Sequence, residues 1–191
     1  MAVTTTKTNK PLNPRGNDQS PKGYNRAELY SGKALSFDGT NDILTMPTAL
    51  TSSLSTTTIT HVLNFKTDFS SFASTRDDVF TYAERGVIFS FNNGTIYIYY
   101  RHNLGSWGNF KIPTDNVKLQ EWNHCAIIID YDNDFGAAYI NGQEVVNQSG
   151  LTGASIDYNL NALTIGAQAG ARFFDGQIAG FKIFNTALTA A

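Results

Sequence analysis

The segment between residues 97 and 107 combines flat aromatic side chains with basic ones, a mixture suited to recognition rather than to bond breaking. Aromatic faces and N–H donors can hold a sugar ring or a neighbouring protein surface. Because side chains alternate along a strand, only half of those from Tyr97 to His102 can point outward. Trp107 lies between Gly105 and Gly108 in an expected loop, which makes it the best candidate for an exposed anchor. The predicted ligand-binding residues are Tyr99, Arg101 and Trp107.

A second kind of chemistry could come from oxygen ligands in predicted turns. The candidates are Asp38, Asn41 and Asp42 in one turn, Asp130, Asp132 and Asp134 in another, and Asp175. Calcium prefers hard oxygen ligands of this type. Asp and Asn are also ordinary turn formers, so solvated turns are the favoured interpretation. Calcium is nevertheless the one cofactor that the sequence suggests, and its predicted ligands are Asp38, Asp42, Asp132 and Asp134.

Catalytic chemistry has no convincing set of residues in this chain. Glycoside hydrolysis needs two carboxylates on facing sides of the substrate. The nearest match is the run from Asp130 to Asp134, but its position between two predicted strands marks it as a turn. Cys125, the single cysteine, lies in an apolar run and is expected to be a buried structural thiol. We therefore expect no catalytic residues and no enzymatic activity.

The elements that must position these residues are strands. Apolar residues alternate with polar ones from Thr58 to Phe65, which is the period of a strand with one buried face. Asn93-Gly94 and Asn141-Gly142 each separate two strand-like runs and predict tight hairpins. The continuous apolar run from Cys125 to Ile129 predicts a central strand covered on both sides. About a dozen short strands and no confident helix indicate an all-β, antiparallel two-sheet sandwich.

Several motifs in a fixed order carry a family resemblance. They are Ala34 to Pro47, Thr58 to Phe65, Glu121-Trp-Asn-His-Cys-Ala126, Ala138-Tyr-Ile-Asn-Gly142, Leu163-Thr-Ile-Gly166, Phe174-Asp-Gly176 and Phe181 to Leu188. Together they resemble the laminin-G-like, concanavalin A-like lectin-glucanase jelly rolls, which are mostly binding and surface modules. Ile178-Ala-Gly180 departs from the pattern, since many relatives carry acidic residues there. Most motif residues have structural explanations, and we expect Trp122 to fill the core.

The first 33 residues differ from the rest in charge and composition. They hold three of the five prolines and a net charge of +4, whereas residues 34–191 carry −6. The sequence therefore predicts an extended N-terminal arm over residues 1–33 and a jelly-roll domain over residues 34–191. The basic charges are spaced singly, which favours docking on an acidic protein surface and argues against nucleic acid. The predicted docking residues are Lys7, Lys10, Arg15, Lys22 and Arg26.

The resemblance also suggests where such a protein works. Laminin-G-like domains of this kind occur in tailed-bacteriophage surface proteins. The first expectation is thus a structural virion component, a capsid decoration or fibre protein, anchored to capsid or tail subunits by its arm. The alternative is a lectin-like carbohydrate-binding module for a cell-surface glycan, with or without calcium, and homo-oligomerisation stays open. The sequence shows neither a secretory signal nor an apolar run of ~18 residues, so no membrane partner is expected.

Overall fold

A computed structural model of the chain describes residues 34–72, 76–82, 85–158, 162–168 and 170–189. The predicted arm over residues 1–33, with its basic docking residues, lies outside them. The described residues contain twelve strands in two six-stranded sheets, and every pairing between strands is antiparallel. The all-β, two-sheet jelly-roll sandwich expected from the sequence is confirmed.

The first sheet has the strand order β1-β12-β3-β8-β9-β10. Its strands are β1 (Leu35–Asp38), β3 (Thr58–Thr67), β8 (Asn123–Asp130), β9 (Phe135–Ile140), β10 (Gln143–Ser149) and β12 (Asp175–Phe184). The registers of β3 with β8 and of β1 with β12 fix where each end of this sheet lies. Thr58 pairs with Asp130 at one end, and Asp38 pairs with Asp175 at the other.

The second sheet has the order β2-β11-β4-β5-β6-β7. Its strands are β2 (Leu44–Thr45), β4 (Arg76–Tyr82), β5 (Arg85–Asn92), β6 (Thr95–Arg101), β7 (Trp107–Ile112) and β11 (Thr164–Ile165). A one-turn helix, α1 (Thr48–Thr51), and a 3-10 helix (Thr114–Asn116) complete the regular structure of the described residues. No helix among those residues is long and apolar enough to cross a membrane.

Both predicted asparagine-glycine hairpins are confirmed. Asn93 and Gly94 have φ of 49° and 72° between β5 and β6, and Asn141 and Gly142 have φ of 53° and 86° between β9 and β10. Two consecutive residues with positive φ give the type I′ turn, whose twist matches that of the flanking strands. These turns set the registers of the two hairpins.

The core is formed by the inward faces of both sheets and is rich in aromatic rings. Phe65 on β3 packs edge-on against Phe89 on β5, with ring centroids 5.3 Å apart. Tyr100 on β6 lies inward over Gly108 of β7, where an added Cβ would come within 2.2 Å of its ring. Cys125 is a free, fully buried thiol, as the sequence predicts. Alternation thus separates core from surface along each strand.

Two tryptophan predictions need correction. Trp122 was expected in the core but is 46% exposed. It lies just before β8, and the buried position at this point belongs to Asn123, whose amide holds the preceding turn. Trp107 is exposed as expected, at 37%, but it is the first residue of β7 rather than part of a loop.

Candidate functional site

The outward side chains of β4 to β7 form the richest candidate site among the described residues. On β6, Tyr97, Tyr99 and Arg101 point outward, because Ile96, Ile98 and Tyr100 between them are buried in the core. Pairing with β7 and β5 adds the outward residues of those strands to the same surface. We call this surface the aromatic–basic face, and it consists of Arg76, Asn92, Tyr97, Tyr99, Arg101, Trp107 and Lys111.

Each of the three aromatic rings on this face carries its own cation. The Arg101 guanidinium carbon lies 5.6 Å from the centre of the Trp107 ring. The Arg76 guanidinium carbon lies 5.2 Å from the ring centre of Tyr99, and Lys111 Nζ lies 5.4 Å from that of Tyr97. Such pairs contribute about 0.5–1 kcal/mol at exposed sites. The face is therefore an ordered set of aromatic–cation pairs.

The two tyrosines of this face are held more tightly than the tryptophan. The rings of Tyr97 and Tyr99 stack on each other with centroids 4.9 Å apart, and Asn92 donates a hydrogen bond to the Tyr99 hydroxyl at 3.0 Å. Trp107 meets Tyr99 edge-on with centroids 6.4 Å apart. Both tyrosines are half-buried, whereas Trp107 is exposed. Among the aromatic rings of this face, the Trp107 indole is thus the most available to a ligand.

Arg76 is fixed by a buried carboxylate beneath it. Arg76 donates from Nε and Nη2 to the two oxygens of Asp78 at 2.8 and 3.0 Å, and Nε also reaches Ser90 Oγ at 3.1 Å. The Asp78 side chain is fully buried, and this burial raises the pKa of its carboxyl despite the opposing effect of Arg76. Arg76 is therefore a structural cation whose charge is balanced.

Arg101 and Lys111 are less well balanced. The nearest carboxylate oxygen to Arg101 Nε belongs to Asp157, at 4.0 Å, and that same oxygen is bound by Arg85. Arg101 Nε is hidden from solvent and has no hydrogen-bond partner in the part of the chain that the structure describes. Lys111 forms no ion pair with any described residue. Two cations on this face can therefore still accept an anionic partner.

The four predicted calcium ligands fall into two pairs that the fold keeps apart. Asp38 belongs to the β1 end beside Asp175, whereas Asp132 and Asp134 follow β8 at the Thr58 end of β3. The nine residue steps of β3 between these ends correspond to about 30 Å. One ion cannot bridge that separation.

Each pair is also occupied by local hydrogen bonds. Asp38 Oδ1 accepts from the amides of Thr40 and Asn41, which lowers the pKa of its carboxyl, and Asp42 Oδ2 accepts from the Asp38 amide. Asp134 accepts from the amides of residues 150 and 151 at 3.1 and 2.8 Å. Within the described ranges, no group of three or more His, Cys, Asp or Glu side chains could hold a metal ion.

A depression beside Trp122 is a second candidate site, and none of the sequence predictions concerned it. An open depression of about 330 Å³ lies between the 3-10 helix and the β9–β10 hairpin. Its walls carry Asp115, Asn116, Lys118, Glu121, Trp122, Ile140, Asn141 and Gln143. One signal was present in the sequence. Trp122 lies three residues before Cys125, and this odd spacing places the two side chains on opposite faces of a strand.

The fold is that of an antiparallel two-sheet sandwich, and the comparison with protein families agrees with it. Residues 38–191 match the model of the family Laminin_G_3, described as the concanavalin A-like lectin/glucanases superfamily. The chain belongs to this family. No curated protein matches it in sequence.

Solved structures with the same fold include parts of larger proteins. The binding domain of botulinum neurotoxin serotype D matches with a TM-score of 0.67 at 13% identity, over 85% of this chain and 41% of that one. The NanB sialidase from Streptococcus pneumoniae matches with a TM-score of 0.63 at 19% identity, over 82% of this chain. This chain spans about a quarter of NanB, 26%.

One structural neighbour is matched over most of both chains. The CBM40 module of the Ruminococcus gnavus IT-sialidase, solved with α2,3-sialyllactose bound, matches with a TM-score of 0.62 at 15% identity. The match covers 82% of this chain and 91% of that one. At these identities the likeness shows a shared fold.

Proposed function

We propose that this protein is a non-enzymatic, lectin-like carbohydrate-binding module, and that its aromatic–basic face binds a glycan carrying an acidic group. The carrying observation is the set of three aromatic–cation pairs, in which Arg101 and Lys111 lack a full ionic partner. The CBM40 neighbour, which binds an acidic trisaccharide on the same fold, supports this ligand class. The botulinum neighbours, described as binding and receptor-binding domains, also support a binding role.

In this proposal each side chain has a different task. The indole of Trp107 offers an apolar plate for the C–H face of a pyranose ring. Arg101 supplies guanidinium N–H donors in the planar arrangement that suits a carboxylate or sulfate. Lys111 adds a second positive charge on the neighbouring strand. Because edge-on contact with Tyr99 and the Arg101 guanidinium over its ring already orient the Trp107 indole, little of its side-chain entropy would be lost on binding.

Calorimetric titration with α2,3-sialyllactose and with lactose tests this proposal. We expect binding of the acidic sugar only. Trp107→Ala and Arg101→Ala should each weaken binding about tenfold, which corresponds to about 1.4 kcal/mol of lost contact energy. The matched control is Phe184→Ala on the first sheet, since Phe184 is 36% exposed against 37% for Trp107. Equal binding of both sugars, or equal losses in Phe184→Ala and Trp107→Ala, would refute the assignment.

Calcium dependence can be measured in the same titration. The proposed role for calcium is assistance by Asp38 and Asp42, or by Asp132 and Asp134, as two separate rim sites. Repeating the titration with a chelator should then weaken binding, and alanine at the pair that holds the ion, but not at the other pair, should reproduce that effect. An unchanged affinity would remove calcium from the mechanism.

We also propose a setting for such a module, on the surface of a virion, with residues 1–33 anchoring it to capsid or tail subunits. The supporting observation is the contrast between the net charge of +4 over residues 1–33 and −6 over the remainder. Deletion of residues 1–30 should abolish incorporation into particles while leaving the sandwich folded and able to bind its glycan. Normal incorporation of that truncated chain would refute this setting without affecting the binding proposal.

A further inference from the structure

We propose that the depression beside Trp122 is a second saccharide site, which binds a neutral sugar independently of the aromatic–basic face. Its position separates it from the first site. Asp115 and Asn116 on its wall follow Ile112 at the end of β7, whereas Trp107 begins that strand. Five residue steps of a strand correspond to about 17 Å. One monosaccharide cannot contact both indoles.

The Trp122 indole is presented on a rigid turn. The side-chain amide of Asn123, fully buried, makes four hydrogen bonds around this turn. Its oxygen accepts from the Lys118 amide at 3.0 Å and from Asn141 Nδ2 at 3.1 Å. Its nitrogen donates to the carbonyls of Lys118 and Glu121 at 2.7 and 2.9 Å. The residue that follows the exposed indole is thus anchored by four hydrogen bonds.

The backbone conformation of the same turn also supports a ligand site. Gln120 has φ of 61°, a left-handed conformation that costs a non-glycine residue free energy. Its amide is held by Thr67 Oγ1 at 3.0 Å, and its side chain donates to the Asp68 carbonyl at 3.2 Å. Strained backbone of this kind persists where surrounding contacts fix it, and it concentrates at ligand-binding positions. Here the strained turn precedes Trp122, a large side chain that is exposed to solvent.

The walls of the depression carry side chains that suit a sugar. The side-chain amides of Asn116 and Gln143 make no hydrogen bond to any described residue, so their donors and acceptors can face a ligand. Ile140, which is only 2% exposed, also lines the depression. Amides that donate and accept, beside an indole plate, match the hydroxyls and the C–H face of a sugar.

The charge of the walls selects a neutral ligand. Lys118 Nζ lies 3.9 Å from Glu121 Oε1, so these two charges offset each other. Asp115 then leaves the depression with a net negative charge, which disfavours an anionic sugar. A volume of about 330 Å³ is at the lower end of the range for small-molecule sites, which suits one monosaccharide unit. The two surfaces of the protein would thus bind an acidic and a neutral sugar unit separately.

Tryptophan fluorescence can test this inference, because the chain has two tryptophans and one lies at each surface. In Trp107→Phe, Trp122 is the sole reporter. We would titrate this variant with the methyl glycosides of glucose, galactose, mannose and N-acetylglucosamine. We expect a saturable change with at least one of them, weakened tenfold or more by adding Gln143→Ala or Asn116→Ala. Gln148→Ala, an amide change further along β10, is the matched control and should have no effect.

Three results would overturn the inference. They are a lack of saturable response to all four glycosides, a response equal in the Gln143→Ala, Asn116→Ala and Gln148→Ala backgrounds, and a response to a neutral tetrapeptide but to no sugar. The reciprocal variant, Trp122→Phe, leaves Trp107 to report α2,3-sialyllactose. If Trp122 fluorescence does not respond to the neutral glycosides while Trp107 fluorescence responds to α2,3-sialyllactose, the second site is rejected and the proposed function stands. Circular dichroism on each variant verifies that the sandwich is folded.

Discussion

Acidification should destabilise this protein through one buried imidazole. His61 lies on the inward face of β3, where it stacks on Phe80 with ring centroids 4.9 Å apart. His61 Nε2 lies 2.8 Å from the Tyr82 hydroxyl oxygen, and Nδ1 is buried with no hydrogen-bond partner among the described residues. Complete burial lowers the pKa of His61 from 6.5 to about 3. The folded protein therefore resists protonation of this ring.

The sign and size of the effect follow from that depressed pKa. Above pH 6.5 the imidazole is neutral in both states and has no influence on the pH dependence of stability. Between pH 6.5 and about 3, the unfolded chain binds a proton that the folded state excludes, so the free energy of unfolding falls as the pH falls. The slope is about 1.4 kcal/mol per pH unit. At pH 5 the loss is about 2 kcal/mol.

A second group acts in the opposite direction and must be separated from His61. Burial, with the nearby charges of Asp78 and Asp175, raises the pKa of Asp77 to about 6, so its protonation stabilises the fold as the pH falls below about 6. Asp77 is half-buried, and solvent screening reduces its contribution. The difference between wild type and a His61 variant cancels the Asp77 term, which both proteins share.

The assay is urea unfolding of wild type and His61→Gln at pH 7, 6 and 5, followed by circular dichroism. Glutamine is neutral at every pH and can still hydrogen-bond the Tyr82 hydroxyl. Wild type should lose about 2 kcal/mol more than His61→Gln between pH 7 and 5. Parallel pH profiles for the two proteins would refute the reasoning. If the variant fails to fold, the NMR signal of the His61 ring in the wild type can be followed against pH instead. Titration of that signal near pH 6.5 would equally refute the reasoning.

Three further predictions concern the core and the Trp122 turn. Gly108→Ala should destabilise the fold by about 1–3 kcal/mol, measured by urea unfolding, because its Cβ would lie 2.2 Å from the Tyr100 ring; wild-type stability would contradict the packing described here. Asn123→Ala should lower the free energy of unfolding by about 3 kcal/mol, because it leaves buried polar groups unpaired. A melting temperature equal to that of Asn147→Ala would contradict this hydrogen-bond network. Cys125 should react with Ellman's reagent only at the rate of unfolding, since it is fully buried with a raised pKa, and rapid labelling of native protein would show otherwise.

Much of the fold could be predicted because its signals are local. Alternating polarity identified β3 from Thr58 onward, and the asparagine-glycine pairs located two hairpins, since positive φ is required at those positions and few residues tolerate it. The same alternation implied that only half of the aromatic–basic segment points outward, and the structure places Tyr99 and Arg101 outward and Tyr100 inward. These patterns depend only on residues close in sequence.

The surfaces could be predicted only in part, because they depend on pairings between distant residues. The sequence suggested Trp107 and Arg101 as binding residues, but the contribution of Arg76 on β4 required the sheet order that places it over Tyr99. Trp122 was misassigned because an apolar residue next to a strand is usually buried. The amide of Asn123, paired partly with Asn141 on a remote hairpin, takes the interior position instead.

The sequence by itself determined the all-β class, the tight hairpins, the buried thiol and the alternation of the aromatic–basic segment, because spacing and turn chemistry encode them. Only the tertiary structure decided which aromatic and basic side chains share a face, that Asp38 and Asp134 lie at opposite ends of the first sheet, and that Trp122 faces solvent. Strand order and register, which bring residues far apart in sequence into contact, are the physical reason for that division.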